Sequence, residues 1–103
     1  MNITRILNEF AAKVRCEYPN ARIWLFGSQA QKTANEESDL DVCIVLPNAY
    51  TAERLAVSDM AWEIGLKHDL HISTVVISEK DFELGPVSVS PLVEAIRSEG
   101  IAA

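Results

Sequence analysis

Apolar residues recur three and four positions apart near the start of the chain, which predicts an amphipathic helix with one inward face. Asn2 or Thr4 is suited to cap its first turn, and the stretch Tyr18-Pro19-Asn20 ends it. The predicted inward positions are Ile3, Ile6, Leu7, Phe10, Ala11 and Val14.

Three later runs are rich in β-branched and aromatic residues and predict strands. The first is residues 22–26, which ends at Gly27. The second is "DLDVCIVL", residues 39–46, which Pro47 and Asn48 close. The third is "HISTVVIS", residues 71–78.

Helical patterns separate and follow these strands. Residues 51–69 predict a long helix, 79–83 a single helical turn, and 91–100 a last helix with Pro91 at its first position and Gly100 just past its end. For the long helix we expect an inner stripe of Leu55, Met60 or Ala61, Ile64 and Leu66.

The order of elements predicts a small α/β (α+β) fold: a mixed sheet of three to four strands, with helices packed on one face. The 103 residues are expected to form one domain, residues 1–103. The strand order stays open at this point, because the short link between the first two strands permits either direction.

Composition and charge narrow the function. The chain is 49% hydrophobic and 23% charged, as a folded globular protein is. Its formal net charge of −6 argues against direct nucleic-acid binding, which needs basic groups to replace phosphate counterions. The same charge suits a metal site or a basic partner.

Cysteine usage and hydropathy point to the cytoplasm. Cys16 and Cys43 lie in a helical and a strand pattern and form no CxxC motif, so a reducing compartment fits. No apolar run reaches the ~20 residues that cross a bilayer. The start of the chain lacks a signal-peptide core. We expect a cytoplasmic protein without membrane contact.

Two acidic residues stand in the otherwise apolar second strand. Asp39 and Asp41 are two positions apart, so we expect their carboxylates to point to the same face. Like charges that close repel unless a cation lies between them. Carboxylate oxygens suit Mg²⁺ or Mn²⁺, and Mg²⁺ typically combines one or two carboxylates with water and substrate phosphates.

A phosphate cradle is expected just ahead of these acids. Gly27 ends a buried strand and lets the backbone turn tightly and approach a ligand. The residues after it can open a helix whose free N–H groups face an anion, and Ser28 adds a hydroxyl donor. Glycine turn and acids together could hold a nucleoside triphosphate with its metal ions.

The stretches Gly27-Ser28-Gln29-Ala30 and Ser38-Asp39-Leu40-Asp41 resemble the signature of the DNA polymerase β-like nucleotidyltransferase superfamily. They are particularly similar to the minimal nucleotidyltransferases that often accompany HEPN-domain proteins in toxin–antitoxin pairs. The tail "SPLVEAIRSEGI" also resembles the closing helix of that family, so the resemblance covers nearly the whole chain.

The resemblance implies a polymerase β-like core and a set of roles. Gly27 and Ser28 would contact the triphosphate, and Asp39 and Asp41 would hold two Mg²⁺ ions. The implied reaction moves a nucleoside monophosphate from an NTP, with ATP favoured, to a hydroxyl acceptor and releases pyrophosphate. The implied acceptor is a HEPN-type protein partner, and self-association is the other way to complete so small a site.

Two positions depart from the family pattern. Lys32 replaces the second motif glycine. Ser73 stands where active relatives usually carry a third aspartate, and serine supplies no negative charge. His71, on the same face two residues earlier, or Asp69, at the mouth of the third strand, could take over part of that role.

These departures keep two alternatives open. The first is a catalytically impaired relative that acts as a binding module or antitoxin, and the second is a purely structural subunit. Association could use apolar positions that we expect to be exposed on the last helix: Leu92, Val93 and Ile96. Trp24 and Trp62 are expected to be core or groove residues.

Overall fold

The structure is a computed structural model and describes residues 2–27 and 39–103. The helices are α1 (Ile3–Glu17), α2 (Thr51–His68), α3 (Glu79–Glu83) and α4 (Pro91–Glu99), with a 3₁₀ turn at Pro86–Val89 before α4. The strands are β1 (Arg22–Phe26), β2 (Leu40–Leu46), β3 (Ile72–Ser78) and β4 (Ile101–Ala102).

The strands form one mixed sheet in the order β3-β2-β1-β4. β1 pairs antiparallel with both β2 and β4, whereas β2 and β3 are parallel. Parallel neighbours need a long crossover, and α2 supplies it. The predicted small mixed sheet is confirmed and has four strands. The structure also gives the strand order, which the sequence left open.

Helices cover both faces of the sheet, which corrects the expectation of one covered face. α1 and α2 pack on the face that carries Leu40, Val42 and Ile44. α3 and α4 pack on the opposite face, against Cys43 and Val45. The reason lies in β2, whose last residues are apolar without alternation, so both of its faces need cover.

The first helix agrees with its periodicity. Asn2 caps α1, since its Oδ1 accepts a hydrogen bond from the backbone N–H of Arg5 at 3.0 Å. Ile3 is half-buried rather than buried. The other predicted inward positions are buried: Ile6, Leu7, Phe10, Ala11 and Val14.

The predicted inner stripe of α2 is wrong at two positions. Leu55 and Leu66 are 61% and 63% exposed. The buried face consists of Val57, Ala61, Ile64 and Gly65. Gly65 lies where the end of the helix approaches the following chain closely: a Cβ on Gly65 would lie 2.5 Å from the carbonyl oxygen of Leu70.

Two expectations for exposed and buried apolar residues also change. Val93 and Ile96 are fully buried against β2, so they are not available for association, and Leu92 is 37% exposed. Trp62 is 66% exposed, whereas Trp24 is half-buried and stacks on Phe82 with ring centroids 5.2 Å apart. Within the two described segments, no helix is both long and apolar enough to cross a membrane.

The two faces of α2 give a direct test of this packing. Ile64→Ala removes a buried side chain and should lower the free energy of unfolding by about 2–4 kcal/mol. Leu66→Ala, two residues on, removes an exposed one and should change it by less than about 0.5 kcal/mol. Urea unfolding measures both. Equal losses for the two variants would contradict the orientation of the helix.

Candidate functional site

Three strands bring the predicted residues to one end of the sheet. In the antiparallel pair Phe26 lies opposite Asp41, and in the parallel pair Asp41 lies opposite Ser73. Gly27 follows Phe26 directly and Asp39 precedes β2 by one residue. The end of β1 and the beginnings of β2 and β3 therefore meet around the Asp41 carboxylate.

The turn after β1 requires glycine for two independent reasons. Gly27 has φ +76°, in the left-handed region that other L-residues adopt only with strain. A Cβ built at this position would lie 2.5 Å from Oδ2 of Asp41, so a side chain here would force the Asp41 carboxylate or the turn to move. The backbone of the turn thus passes directly over the carboxylate.

The Asp41 carboxyl group is poorly stabilised as an anion. Burial raises its pKa above the ordinary aspartate value, the charge of Asp39 raises this pKa further, and His71 opposes the shift. Asp39 and His71 are thus near enough to Asp41 for their charges to change the pKa of its carboxyl group. Asp41 is half-buried while Asp39 is exposed, so a cation could approach both from the solvent side.

The chemistry of this donor set fits Mg²⁺ with its substrate. Over residues 2–27 and 39–103, no three side chains of His, Cys, Asp or Glu gather as a metal cage. Mg²⁺ needs no such cage, because it usually keeps water and takes substrate phosphates beside one or two carboxylates. Asp39 and Asp41 meet that requirement, and a cation would relieve the repulsion that raises the pKa of Asp41.

The position on β3 that lies beside Asp41 holds serine, as expected from the sequence. Ser73 is half-buried in register with Asp41 and brings no charge to the site. His71 is exposed, just ahead of β3, and its carbonyl oxygen accepts a hydrogen bond from the N–H of Leu40 at 3.1 Å. This bond fastens the beginning of β3 to the beginning of β2, beside the acids.

Asp69 lies at the edge of the site. It caps the end of α2 in a left-handed conformation, with φ 54°, and it is exposed. It shares a surface depression with Trp62, Leu66 and His71. The sequence placed Leu66 in the inner stripe of α2, whereas it lines this depression; Trp62, expected in the core or a groove, lines it as well.

Several residues of the predicted site lie outside the described part of the chain. Ser28, which was expected to contact the triphosphate, is one of them. Lys32, which replaces the second motif glycine, and Ser38, which begins the acidic motif, are the others. Their roles stay predictions.

Gly27→Ala should be costly in a way that depends on Asp41. The left-handed backbone alone costs about 1–2 kcal/mol for a residue with a Cβ. In the Asp41→Ala background the Oδ2 and Cγ atoms are gone, so Gly27→Ala should cost at least about 0.5–1 kcal/mol less there. Urea unfolding of the four proteins gives the coupling, and an equal cost in both backgrounds would refute the contact.

Asp41→Asn should change the pH dependence of stability. Because the folded pKa of Asp41 is raised, the wild type loses stability as pH rises from the unfolded value through the folded one. In chelator-treated buffer, Asp41→Asn should match the wild type near about pH 3 and exceed it near about pH 7. Asp59→Asn, an exposed acid on α2, is the control. A variant less stable than the wild type at neutral pH would contradict the assignment.

The sequence matches the nucleotidyltransferase domain family over residues 4–102. The archaeal relative "Putative protein adenylyltransferase MJ1305" of Methanocaldococcus jannaschii is 29% identical over 96 residues, which cover 88% of this chain and 64% of the relative. The chain therefore spans about 64% of the length of that curated relative.

Solved structures share the fold at low sequence identity. A mutant of the toxin–antitoxin MntA-HpeT is 18% identical, with a TM-score of 0.62, over 93% of this chain and 69% of that one. A toxin–antitoxin crystallised with AMP-PNP is 18% identical, with a TM-score of 0.57, over 91% and 69% of the two chains. The family match over nearly the whole chain, on a fold that these structures share, makes this protein a member of the nucleotidyltransferase domain family.

Proposed function

We propose that the protein transfers a nucleoside monophosphate, AMP from ATP by preference, to a hydroxyl group on another protein. The observation that carries this proposal is the approach of the Gly27 backbone to Asp41 in a member of the nucleotidyltransferase domain family. The name of the archaeal adenylyltransferase supports AMP and a protein acceptor, and the AMP-PNP complex of a structural neighbour supports nucleotide binding.

The residues at this end of the sheet are proposed to have separate roles in binding the nucleotide and the metal. Gly27 leaves the backbone open to a phosphate, and Ser28 would add a hydroxyl donor to the triphosphate. Asp39 and Asp41 would hold the magnesium, with two ions expected when nucleotide is bound. The metal supplies charge neutralisation at the α-phosphate and at the departing pyrophosphate.

The bond changes set one further requirement. The acceptor hydroxyl oxygen forms a bond to the α-phosphorus, the bond from that phosphorus to the bridging oxygen breaks, and pyrophosphate leaves with that oxygen. The hydroxyl proton needs an acceptor. The Ser73 hydroxyl is too weak a base to receive it, so His71, which acts electrostatically on Asp41, is the first described group suited to this task, and Asp69 the second.

The proposal also covers the partner and the cellular compartment of the protein. Residues 1–103 are proposed to act as one nucleotidyltransferase domain, with a HEPN-type acceptor protein as the partner and self-association as the other arrangement. The charge of −6 disfavours nucleic acid as the acceptor. ATP supply and the exposed thiol of Cys16 fit a cytoplasmic setting.

A second function is favoured by one specific observation. Because Ser73 is in register with Asp41, β3 places no third carboxylate beside Asp41 in the described part of the chain. A nucleotidyltransferase fold impaired in this way could still bind its partner tightly and neutralise it by occlusion, as an antitoxin. The two functions differ in whether a covalent mark appears on the partner.

A label-transfer assay tests the proposed enzyme. The protein is incubated with Mg²⁺, ATP labelled on the α- or the γ-phosphate, and the protein encoded by the adjacent gene. Only the α-label should appear on the partner, and Asp39→Asn or Asp41→Asn should reduce it by at least about 100-fold. Asp81→Asn, an exposed acid on α3, is the control. A tight complex without label would favour the binding module.

Ser73→Asp sharpens the same assay. Restoring a carboxylate beside Asp41 should raise label transfer by about tenfold or more, because it adds a metal ligand and a proton acceptor. Ser73→Asn matches it in size without the charge and should give no gain. Equal rates for the two variants would exclude position 73 from the chemistry.

A further inference from the structure

The outward side of α2 carries a line of large apolar side chains. Leu55, Trp62 and Leu66 are 61%, 66% and 63% exposed. Their spacings of seven and four residues place them on one face of the helix, and we call these three residues the α2 stripe. The core uses the opposite face of α2, with Val57 and Ile64, so the α2 stripe lies outside the buried core.

Two exposed acidic residues accompany this surface. Asp59 lies beside the α2 stripe and Asp69 lies at its end, and both are exposed. Within the described segments neither forms an ion pair. An apolar line flanked by acids is therefore offered to solvent, which is typical of an interaction surface.

Three cations among the described residues near this surface are engaged in other contacts. Lys13, which shares a depression with Asp59, pairs with Glu63, Nζ to Oε2, at 2.8 Å. Lys67 pairs with Glu9 of α1, Nζ to Oε2, at 2.8 Å. Arg54 donates from Nη1 to the carbonyl oxygen of Val76 in β3, also at 2.8 Å. The side chains of Lys67 and Arg54 thus turn to the flanks of α2, and the charge left on its outward face is negative.

This charge decides between two occupants. A second copy of the chain, packed α2 against α2, would bring Asp59 and Asp69 of both copies into one interface, and like charges there repel. A different protein with an apolar stripe bordered by lysine or arginine would complement both features. A helix is the element whose apolar line matches the seven- and four-residue spacing.

The α2 stripe also leads to the site. Trp62 and Leu66 line the depression that Asp69 and His71 share, and His71 acts electrostatically on Asp41. A protein seated along α2 from Leu55 to Leu66 thus reaches the end of the sheet where the acids lie. The α2 stripe and the candidate site therefore adjoin each other at the C-terminal end of α2.

We propose that the α2 stripe docks a basic amphipathic helix of the acceptor protein. The apolar side of that helix covers Leu55, Trp62 and Leu66, and its lysine or arginine side chains face Asp59 and Asp69. The inference rests on the proposed function in one respect, namely that the docked protein is the one that receives the nucleotide.

Tryptophan fluorescence reads docking directly. In a Trp24→Phe background, which keeps an aromatic ring beside Phe82, Trp62 is the sole tryptophan. The probe is a synthetic helical peptide of about 15–20 residues with leucine along one face and lysine on both flanks. It should shift the emission of Trp62 to shorter wavelength and bind at least about tenfold more tightly than the same peptide with glutamate for lysine.

Matched variants locate the binding. Leu55→Ala and Leu66→Ala should each weaken binding of the lysine peptide by about five- to tenfold. Leu84→Ala removes an apolar side chain that is 82% exposed away from α2, and it should have no effect. Absence of binding, equal binding of both peptides, or an equal loss in Leu84→Ala would overturn the proposal. A dimer in sedimentation that Leu66→Ala dissociates would assign the surface to a second copy and overturn it as well.

The peptide assay and the label-transfer assay distinguish failure of the docking proposal from failure of the proposed enzyme. Peptide binding without any label on a partner leaves docking in place and removes the proposed enzyme. Label transfer whose KM for the acceptor protein is unchanged in Leu55→Ala and Leu66→Ala keeps the enzyme and removes the docking surface. A raised KM with unchanged kcat is the result expected of a docking surface.

Discussion

The pairing of β1 with β2 is the constraint on which the candidate site depends. It places Phe26 opposite Asp41, so the next residue, Gly27, must cross the carboxylate. A Cβ there would lie 2.5 Å from Oδ2, and the backbone is left-handed. The glycine at position 27 and the register of β1 against β2 therefore depend on each other. A shift of one residue in register would turn Asp41 to the opposite face and separate the turn from the acid.

The layers of the fold explain why the described end of the sheet is only partly covered. Over the described residues, α4 covers the sheet face of Asp41 at Cys43 and Val45, and Phe26 and Ser73 at the end of the sheet stay half-buried. Asp41 is half-buried there too, and this burial disfavours the charged form of its carboxyl group. The raised pKa of Asp41 is the physical expression of that arrangement.

Periodicity and spacing predicted much of this fold, for reasons that particular residues show. The apolar residues of α1 lie on one face, so its orientation followed from the pattern. α2 is apolar on two faces, and the larger residues, such as Leu66, proved to be the exposed ones. The sequence correctly set Ser73 of β3 beside Asp41. It also predicted that the glycine turn lies near the acids, but the direct contact of Gly27 with the Asp41 carboxylate depends on strand pairing and could not be predicted.

The exposed α2 stripe and the absence of a carboxylate at Ser73 of β3 bear on the same point, because a site with few charged groups needs other contacts. The described chain supplies a glycine turn and two acids at a sheet end, but its neighbouring strand offers Ser73 in place of a charge. In the proposed reaction, such a site would depend on how well the acceptor hydroxyl is positioned, because orientation can replace part of the missing acid–base assistance. Positioning requires contacts away from the phosphates. The α2 stripe, which reaches the depression beside His71, provides a surface of that kind within the same domain.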